Sequence, residues 1–435
     1  MYRRLLGNSL LVAFFFGVDK IVALVRQVVV ARAYGLDPVL DAYNASNNIP
    51  DTLFALISGG ALAIAFIPVL TATLEKEGRA GAWRLFSLVA NLAFVVTAAV
   101  AALIALFPLA LVQRVVTPGF PLEQQRLVAD LMRLNLIATL LFSISGLVMG
   151  ALQAHQHFLL PALAPIFYNV GQIAGVIALK PALGIHGLAY GVILGAALHL
   201  AIQVPGLVRY QFRWTPRLTL AHDGVHRVLR LMGPRLLTLA FINAIFIAND
   251  NLASRLGVVG AVSALAYGWL ILQLPETVIG TAVGTALLPT LSELVAQNKR
   301  DELQRLLRRA VGVVLALPLP AALVSLVFVR PAVKLVFEGR AFTAENSELV
   351  IRAARLFLPG LVGHSLVEIA ARAFYAHQDA RTPLLLAALT FGLFVAFSLL
   401  FTPVLSFAAL ALANTLAFTA EALLMLFILR RRNIL

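Results

Sequence analysis

The stretch GVDKIVALVRQVVVARAYG, residues 17–35, decides how the rest of the sequence is interpreted. It is apolar enough to cross a lipid bilayer, yet it contains Asp19, Lys20 and Arg26. A charge at the centre of a bilayer costs about 2.5–3.5 kcal/mol even on the lowest insertion scale. We therefore expect these three side chains to face a water-filled cavity or to pair with one another.

The composition places the whole chain in a membrane. Of its 435 residues, 61% are hydrophobic and 12% are charged, and the mean hydropathy is +0.92. Soluble domains are closer to half apolar and a quarter charged. The apolar residues fall in blocks of about 20 or more, the length that an α-helix needs to cross the hydrocarbon core. The sequence thus predicts an all-α polytopic membrane protein.

These blocks predict about twelve membrane-spanning helices. They cover residues 5–35, 39–72, 84–113, 126–153, 158–180, 185–210, 226–257, 262–297, 304–330, 346–377, 382–402 and 405–430. Lys and Arg cluster at the N-terminus, after the sixth and eighth spans, and at the C-terminus, which the positive-inside rule makes cytoplasmic. Both termini are therefore predicted to be cytoplasmic. The net charge of +14 then reflects topology, and nucleic acid is not expected as a partner.

The two halves of the sequence repeat each other. AHQ followed by four further residues and then Pro occurs at 154–161 and 376–383, IPDTL at 49–53 matches LPETV at 274–278, and FIPVLTATL at 66–74 matches LLPTLSELV at 287–295. The separations of 221 to 225 residues indicate duplication of a six-helix unit. We predict lobes at 1–220 and 221–435, related by an axis along the membrane normal and enclosing a central cavity.

Polar residues share one face of each of the first two spans. At 100° per residue, an unbroken first helix brings its polar side chains into a sector about 120° wide. They are Asn8, Ser9, Asp19, Lys20, Arg26 and Gln27. In the second span, the spacing also predicts one shared face for Asp41, Asn44, Asn48 and Asp51. The surplus positive charge suits an anionic substrate, and Arg offers the bidentate geometry that phosphate accepts. The alternative is that Asp19 pairs with Arg26 and merely fixes the helices together.

Two prolines and two glycines are predicted hinges. Pro50 interrupts the second span, Gly59 and Gly60 soften it, and Pro275 has the matching place in the second half. Interrupted helices at corresponding places in two repeats indicate a transport pathway. Other polar groups are given structural roles: Glu368 and Arg372 as a helix pair, and His155 and His377 as caps of turns.

Several motifs resemble the MurJ (MviN) lipid II flippases of the multidrug, oligosaccharidyl-lipid and polysaccharide exporter superfamily. They are RQVVVARAYG at 26–35, DAYNASNNIP at 41–50, AFIPVL at 65–70, TPGF at 117–120, MGP at 232–234, VGTALLPTLSE at 283–293 and FYAHQDARTP at 374–383. The resemblance covers essentially the whole chain in order. It implies a flippase that moves the undecaprenyl-diphosphate-linked peptidoglycan precursor to the outer leaflet.

The resemblance also implies roles for particular residues. Arg26 matches a cavity arginine, Lys20 stands where another arginine is usual, and Asp41 matches an acidic residue of the family. The chain departs from the family pattern by placing Phe54 or Ala55, and Leu270, where further cavity arginines are expected. Asp19 and Gln27 also differ from the usual residues, and only twelve spans are predicted where many members have fourteen.

We therefore predict a flippase for lipid II that works by alternating access and catalyses no reaction. Lys20, Arg26 and Asn48 are assigned to the substrate, Asp19, Gln27, Asp41 and Asp51 to the cavity field or coupling, and Pro50, Gly59, Gly60 and Pro275 to hinges. The alternatives are an exporter of another lipid-linked glycan, a cation-coupled drug exporter, a membrane enzyme acting on polyprenyl-phosphate sugars, and a non-transporting scaffold.

The remaining expectations concern partners and energy. With no cysteine, no metal-ligand motif and no nucleotide-binding motif, no cofactor or resident metal is expected, and transport would draw on Na+, H+ or the membrane potential. The expected partners are the lipid-linked oligosaccharide and membrane lipids. We expect a monomer in the bacterial cytoplasmic (inner) membrane.

Overall fold

The computed structural model describes residues 2–58 and 60–435, and all regular structure in these residues is helical. The α-helices are α1 (Tyr2–Tyr34), α2 (Pro38–Leu53), α3 (Gly60–Leu106), α4 (Pro108–Leu111), α5 (Leu122–Ala154), α6 (Leu159–Ala174), α7 (Lys180–Leu183), α8 (Ile185–Ala201), α9 (Val204–Arg209), α10 (Asp223–Ser254), α11 (Ala261–Glu276), α12 (Ala282–Ala296), α13 (Arg300–Ala316), α14 (Pro318–Phe337), α15 (Ala344–Phe357), α16 (Leu361–Ala376), α17 (Arg381–Leu405) and α18 (Ala408–Arg431). Four π-helical turns lie at Phe54–Ser58, Val112–Val116, Gly175–Leu179 and Thr277–Thr281.

The helices are those of a multi-pass membrane protein. Within the part of the chain that the structure describes, nine helical segments are long and apolar enough to cross a membrane. The all-α membrane fold predicted from composition is therefore confirmed, whereas the count of twelve spans stays a prediction. The predicted spans at 5–35, 39–72 and 262–297 correspond to α1, to α2 with the start of α3, and to α11 with α12.

One predicted loop takes an unexpected form. The sequence predicts a loop at residues 73–83, between the second and third spans. In the structure, α3 runs through this region from Gly60 to Leu106. The helical path is broken only at Gly78, whose φ of 69° and ψ of −168° are not helical. Glycine adopts positive φ without the clash that a Cβ creates, so a single residue suffices to redirect the chain here.

The first compact unit comprises Met1–Gly35 and Ala42–Ala240. An apolar core joins α3, α5 and the first half of α10 around side chains such as Phe66, Trp83 and Leu147. A second contact brings α6 and α8 very close together, because glycines face each other across it. A Cβ on Gly191 would lie 2.9 Å from the Cα of Gly175, so only glycine fits.

The second compact unit comprises Leu36–Asp41 and Phe241–Leu435. Its apolar core is built from α12, α13, α16, α17 and α18. The predicted structural pair is present, since Arg372 Nη2 lies 2.7 Å from Glu368 Oε2 on α16. The division into lobes at 1–220 and 221–435 stays a prediction.

The repeated AHQ motif forms the same turn in both units. His155 Nδ1 lies 2.9 Å from the carbonyl oxygen of Ala151, and His377 Nδ1 lies 2.9 Å from that of Ala373. The next residues, Gln156 and Gln378, both have a φ of 58°. The two histidines therefore cap the ends of α5 and α16, as expected from the sequence. The repeated AHQ residues thus have the same backbone conformation at the glutamine.

Candidate functional site

The polar face of α1 is where the site begins. Its side chains are described from Phe14 onward, and Asp19 is half-buried. Asn169 of α6 donates from Nδ2 to Asp19 Oδ1 at 2.9 Å, and the same amide group donates to the carbonyl oxygen of Pro165 at 3.1 Å. Among the ion pairs of the described residues, Asp19 does not pair with Arg26. The alternative of an Asp19–Arg26 pair is thus not what the structure shows.

Lys20 and Arg26 differ in their surroundings. Lys20 is exposed, and its Nζ lies 4.8 Å from the centroid of the Phe16 ring, a cation–π contact. Arg26 is half-buried and acts electrostatically on Asp51 and on the hydroxyl groups of Tyr43 and Tyr168. In the described part of the chain, neither cation lies within 4.0 Å of a carboxylate oxygen. Both charges are therefore available to an anion.

A cavity of about 300 Å³ lies inside the first unit, and none of its described lining side chains comes from α1. It is lined by α2 and the π turn that follows it, and by α5, α6 and α8. The polar or ionisable lining side chains are Asn47, Asp51, Asn135, Thr139, Tyr168 and His199, and Phe54 and Phe142 are among the apolar ones. Asp51 was assigned to the cavity from the sequence, and it lies among the residues that line this cavity.

A hydrogen-bond network fixes one wall of the cavity. Asn135 Nδ2 donates to Ser46 Oγ at 3.1 Å and to Asn47 Oδ1 at 2.9 Å, which joins α5 to α2. Asn47 Nδ2 in turn donates to the carbonyl oxygen of Tyr43 at 2.8 Å. These bonds determine the orientation of both amides, because each nitrogen faces an acceptor.

A second network lies behind His199. Ser145 Oγ lies 2.6 Å from His199 Nδ1, and Gln203 Nε2 donates to Ser145 Oγ at 2.9 Å. Gln203 also donates to the carbonyl oxygen of His199 at 2.8 Å. All three residues are buried, so this network holds the imidazole ring in place at the cavity wall.

Asp41 has a different environment from Asp51. It is only 1% exposed, and its two oxygens accept hydrogen bonds of 2.8 Å from the backbone N–H groups of Gly260 and Ser263. These amides belong to the first turn of α11, where a carboxylate is favourable. The described contacts of Asp41 are those of a helix anchor, and its assignment to coupling stays a prediction.

The predicted hinges coincide with irregular helix. Pro50 is buried inside α2 and is followed by the π turn at Phe54–Ser58, and Pro275 lies inside α11 directly before the π turn at Thr277–Thr281. Such turns often mark functional sites in helices. Gly60 begins α3, whereas Gly59 lies outside the described residues. Hinge motion itself stays a prediction.

The remaining residues singled out from the sequence lie in α1, in α2, in the π turn after α2 and in α11. Gln27 and Asn48 are both half-buried, and the carbonyl oxygen of Asn48 accepts a hydrogen bond of 2.7 Å from Thr52 Oγ1. Phe54 lines the cavity with its ring centroid 5.3 Å from that of Phe142, and Leu270 is half-buried in α11. The departures from the family pattern are therefore apolar side chains in the structure as well.

The residues missed from the sequence include the cavity-lining Asn135, Thr139, Tyr168 and His199, and also Asn169, which donates a hydrogen bond to Asp19. A usable signal existed for two of them, because Asn135 and Thr139 are four residues apart inside an apolar span and so share a face. The other three carry no such pattern. They become recognisable only when the packing of α6 and α8 brings them beside the cavity and α1.

Loop groups outside the spans have shifted pKa values, and His155 and Asp379 are two of them. Burial lowers the pKa of His155, although its bond to Ala151 acts in the opposite direction. Burial alone would raise the pKa of Asp379, but hydrogen bonds from Thr382 and Arg432 outweigh it and lower the pKa to about 2. Asp379 therefore fixes the loop after α16 as a carboxylate, 2.6 Å from Arg432 Nη1.

These features define a helical multi-pass membrane protein with a polar cavity inside its first unit. A family model described as lipid II flippase MurJ matches residues 30–435, and the chain belongs to the MurJ family. A lipid II flippase MurJ from Burkholderia cenocepacia is 31% identical over 437 residues, which cover 98% of this chain and 84% of the relative. Family membership and the apolar helices together identify a multi-pass protein of the inner membrane.

Solved structures show the same fold. A lipid II flippase MurJ in an inward closed conformation aligns with a TM-score of 0.81 at 20% identity, covering 98% of this chain and 89% of its own. An inward-facing MATE family multidrug resistance transporter of the MOP superfamily aligns with a TM-score of 0.79 at 15% identity, covering 95% and 94%. At such identities the likeness concerns the fold alone.

Proposed function

We propose that this chain is a flippase that moves lipid II, a polyprenyl-diphosphate-linked peptidoglycan precursor, from the inner to the outer leaflet by alternating access. Membership of the MurJ family supports the substrate class. The observation that carries the site is Arg26, a half-buried cation on an apolar helix with no described carboxylate within 4.0 Å. A charge at this depth is stabilised by a wet cavity or an anionic ligand, and a diphosphate supplies the latter.

Residue roles follow from these surroundings. Arg26 and Lys20 would hold the diphosphate, and Asn48 would donate hydrogen bonds to the head group. Asp51, Asp19 and Gln27 would tune the electrostatic field, with Asp19 oriented by Asn169 at 2.9 Å. The interrupted helices at Pro50 and Pro275 would bend between the inward and outward states.

The orientation and energetics belong to the same proposal. Both termini would be cytoplasmic, since Lys and Arg cluster on that side. The protein would act as a monomer, perform no bond-making chemistry, bind no nucleic acid, and draw on Na+, H+ or the membrane potential.

Removal of both cations tests the site. We expect Lys20→Ala with Arg26→Ala to bind a diphosphate lipid in nanodiscs at least about tenfold more weakly, because charge-assisted hydrogen bonds contribute about 1.5–3 kcal/mol each. The double variant should also fail to support growth of a flippase-depleted cell. The matched control is Arg305→Ala with Arg308→Ala, which removes two exposed cations from α13. Full binding and growth with the Lys20 and Arg26 variant would reject this site.

A second candidate is export of another lipid-linked glycan. It is favoured by Phe54 and Leu270, which are apolar where the resemblance implies cavity arginines. Binding of lipid II measured against an undecaprenyl diphosphate that carries a different glycan distinguishes the two. Preference for the second lipid, lost in the same double variant, would support this candidate.

A further inference from the structure

One acidic side chain lies in the middle of the helix pair formed by α17 and α18. Glu421 is the only acid of α18, thirteen residues after Ala408 and ten residues before Arg431, and α17 contains no acid. The residue is 5% exposed. Because both helices are long and apolar enough to cross a membrane, this carboxyl group lies at membrane depth.

A single hydroxyl group joins this carboxyl group to α17. Thr390 Oγ1 lies 2.9 Å from Glu421 Oε2 and also 2.9 Å from the carbonyl oxygen of Leu386. Thr390 is 1% exposed. A hydroxyl group has one hydrogen, so it can donate to only one of these two oxygens. The other contact is a hydrogen bond only if the partner supplies the hydrogen, and a protonated carboxyl group can do so whereas a backbone carbonyl cannot.

Other threonines of the membrane helices indicate where the hydrogen of Thr390 points. Thr402 and Thr419 each donate at 2.6 Å to the carbonyl oxygen four residues earlier. This bond is a common one for threonine inside a helix. If Thr390 makes the same bond to Leu386, its oxygen accepts from Glu421, and the carboxyl group is protonated.

An ionised carboxylate would lack compensation at this place. Among the described residues, no ion pair includes Glu421, and Thr390 is its one hydrogen-bond partner. The charged residue of α17 is Arg381, in its first turn, and the other charges of α18 are Arg430 and Arg431, in its last turn. Removing a carboxylate from water without a charged partner is far more costly than burying the neutral acid.

Titratable groups on the other helices packed on α18 already have partners. His364 of α16 contacts an amide oxygen of α18 at 3.0 Å, and Glu368 pairs with Arg372 at 2.7 Å. Arg352 of α15 makes a cation–π contact of 5.5 Å with the aromatic ring that precedes α18. The remaining titratable groups of α11, α15 and α16 are Tyr267, Glu276, Glu345, Glu348, Arg355 and Tyr375. Within the described part of the chain, none of these groups forms an ion pair with Glu421.

We propose that Glu421 is a proton-binding site inside the membrane, and that its acid hydrogen is donated to Thr390 Oγ1 and links α18 to α17. The ligand of the site is H+. Ionisation replaces a neutral donor by a buried charge, so the contact between the two helices weakens as the pH rises. This site belongs to the second unit and does not rest on the proposed function.

Infrared spectra of the purified full chain in dodecyl maltoside, a detergent without carbonyl groups, test the protonation. An exposed glutamate is ionised at pH 6, since its pKa is about 4.3. At pH 6 we expect the wild type to show a C=O band of a protonated carboxyl group that Glu421→Gln lacks. Glu302→Gln, at an exposed position of α13, is the matched control and should keep the band. Identical bands in the wild type and Glu421→Gln overturn the proposal.

A pair of variants at Thr390 tests the hydrogen bond, and it gives a separate result if Glu421→Gln does not fold. Thr390→Ser keeps the hydroxyl group, whereas Thr390→Val has nearly the same shape without it. We expect one protonated-carboxyl band to have a different frequency in Thr390→Val and the wild-type frequency in Thr390→Ser. An unshifted spectrum in Thr390→Val overturns the assigned bond.

The pH dependence of stability tests the link between the helices. Between pH 6 and pH 9, the Tm of the wild type should fall by more than that of Glu421→Gln, because the glutamine cannot ionise and can still donate to Thr390. Glu302→Gln should behave as the wild type does. An equal fall in the wild type and Glu421→Gln overturns the dependence of the helix contact on the proton.

Discussion

At the residue scale, Asp41 and Asp51 show that the same type of side chain has different contacts in different surroundings. Both lie on α2, ten residues apart. The two oxygens of Asp41 accept hydrogen bonds of 2.8 Å from backbone N–H groups. Asp51 instead lines the cavity and interacts electrostatically with Arg26. The first arrangement stabilises a helix end, and the second leaves the carboxylate open to ligands.

Asp41→Asn should destabilise the protein. The variant loses the charge that interacts with the N-terminus of α11 and one of two acceptors, which costs roughly 1–3 kcal/mol. A lower Tm in detergent would show the loss. Asp301→Asn, at an exposed position in the first turn of α13, should change Tm little. An unchanged Tm together with lost transport would instead assign Asp41 to coupling.

At the element scale, the contact between α6 and α8 depends on glycine. A Cβ on Gly191 would lie 2.9 Å from Gly175 Cα and 3.1 Å from Gln172 Cα, both of which are backbone atoms. Backbone atoms do not move aside as flexible side chains do. The close approach also positions Tyr168, Asn169 and His199, so it contributes to the cavity as well as to packing.

Gly191→Ala should therefore lower the Tm, because overpacking costs typically about 1–3 kcal/mol. Gly392→Ala is the control, and it should raise the Tm instead of lowering it. It lies in α17, where an added Cβ meets nothing within 4 Å, and Ala stabilises a helix interior by about 0.5–1 kcal/mol relative to Gly. A Gly191→Ala protein that is as stable as Gly392→Ala would contradict the packing argument.

The polar groups of the cavity are also a property of elements. Asn135 and Thr139 share a face of α5 because they are four residues apart, and that face meets Asn47 of α2. Their spacing was visible in the sequence. Their partner across the cavity was not, because no local pattern links residues that are 88 positions apart.

At the scale of the whole molecule, each half of the chain contains an interrupted helix at a corresponding place. Pro50 precedes one π turn and Pro275 precedes another, and the repeated AHQ turns have the same φ of 58° at Gln156 and Gln378. Duplication of the sequence is thus accompanied by duplication of irregular backbone. Regular helix would not be expected to keep such interruptions unless they served the fold or its motion.

Replacing both prolines should slow transport. Pro50→Ala with Pro275→Ala restores two backbone N–H donors and allows straighter helices, so exchange between inward and outward states becomes slower. We expect a several-fold lower rate in a proteoliposome flipping assay, with binding of the diphosphate lipid unchanged. Pro318→Ala, at the first turn of α14 where proline fits without a kink, is the control. Full transport by the double variant would argue against these hinges.

The sequence by itself determined the all-helical membrane fold and the family, whereas the two lobes and the shared polar face of α1 stay predictions. Each of these follows from local composition, periodicity or ordered motifs, which need no knowledge of contacts. Only the tertiary structure decided that Asp19 meets Asn169, that Asp41 anchors α11, and that Asp51 and Asn135 line one cavity. Those pairings depend on which helices pack together, because a buried polar group takes its partner from whichever backbone or side chain the fold brings within hydrogen-bond distance.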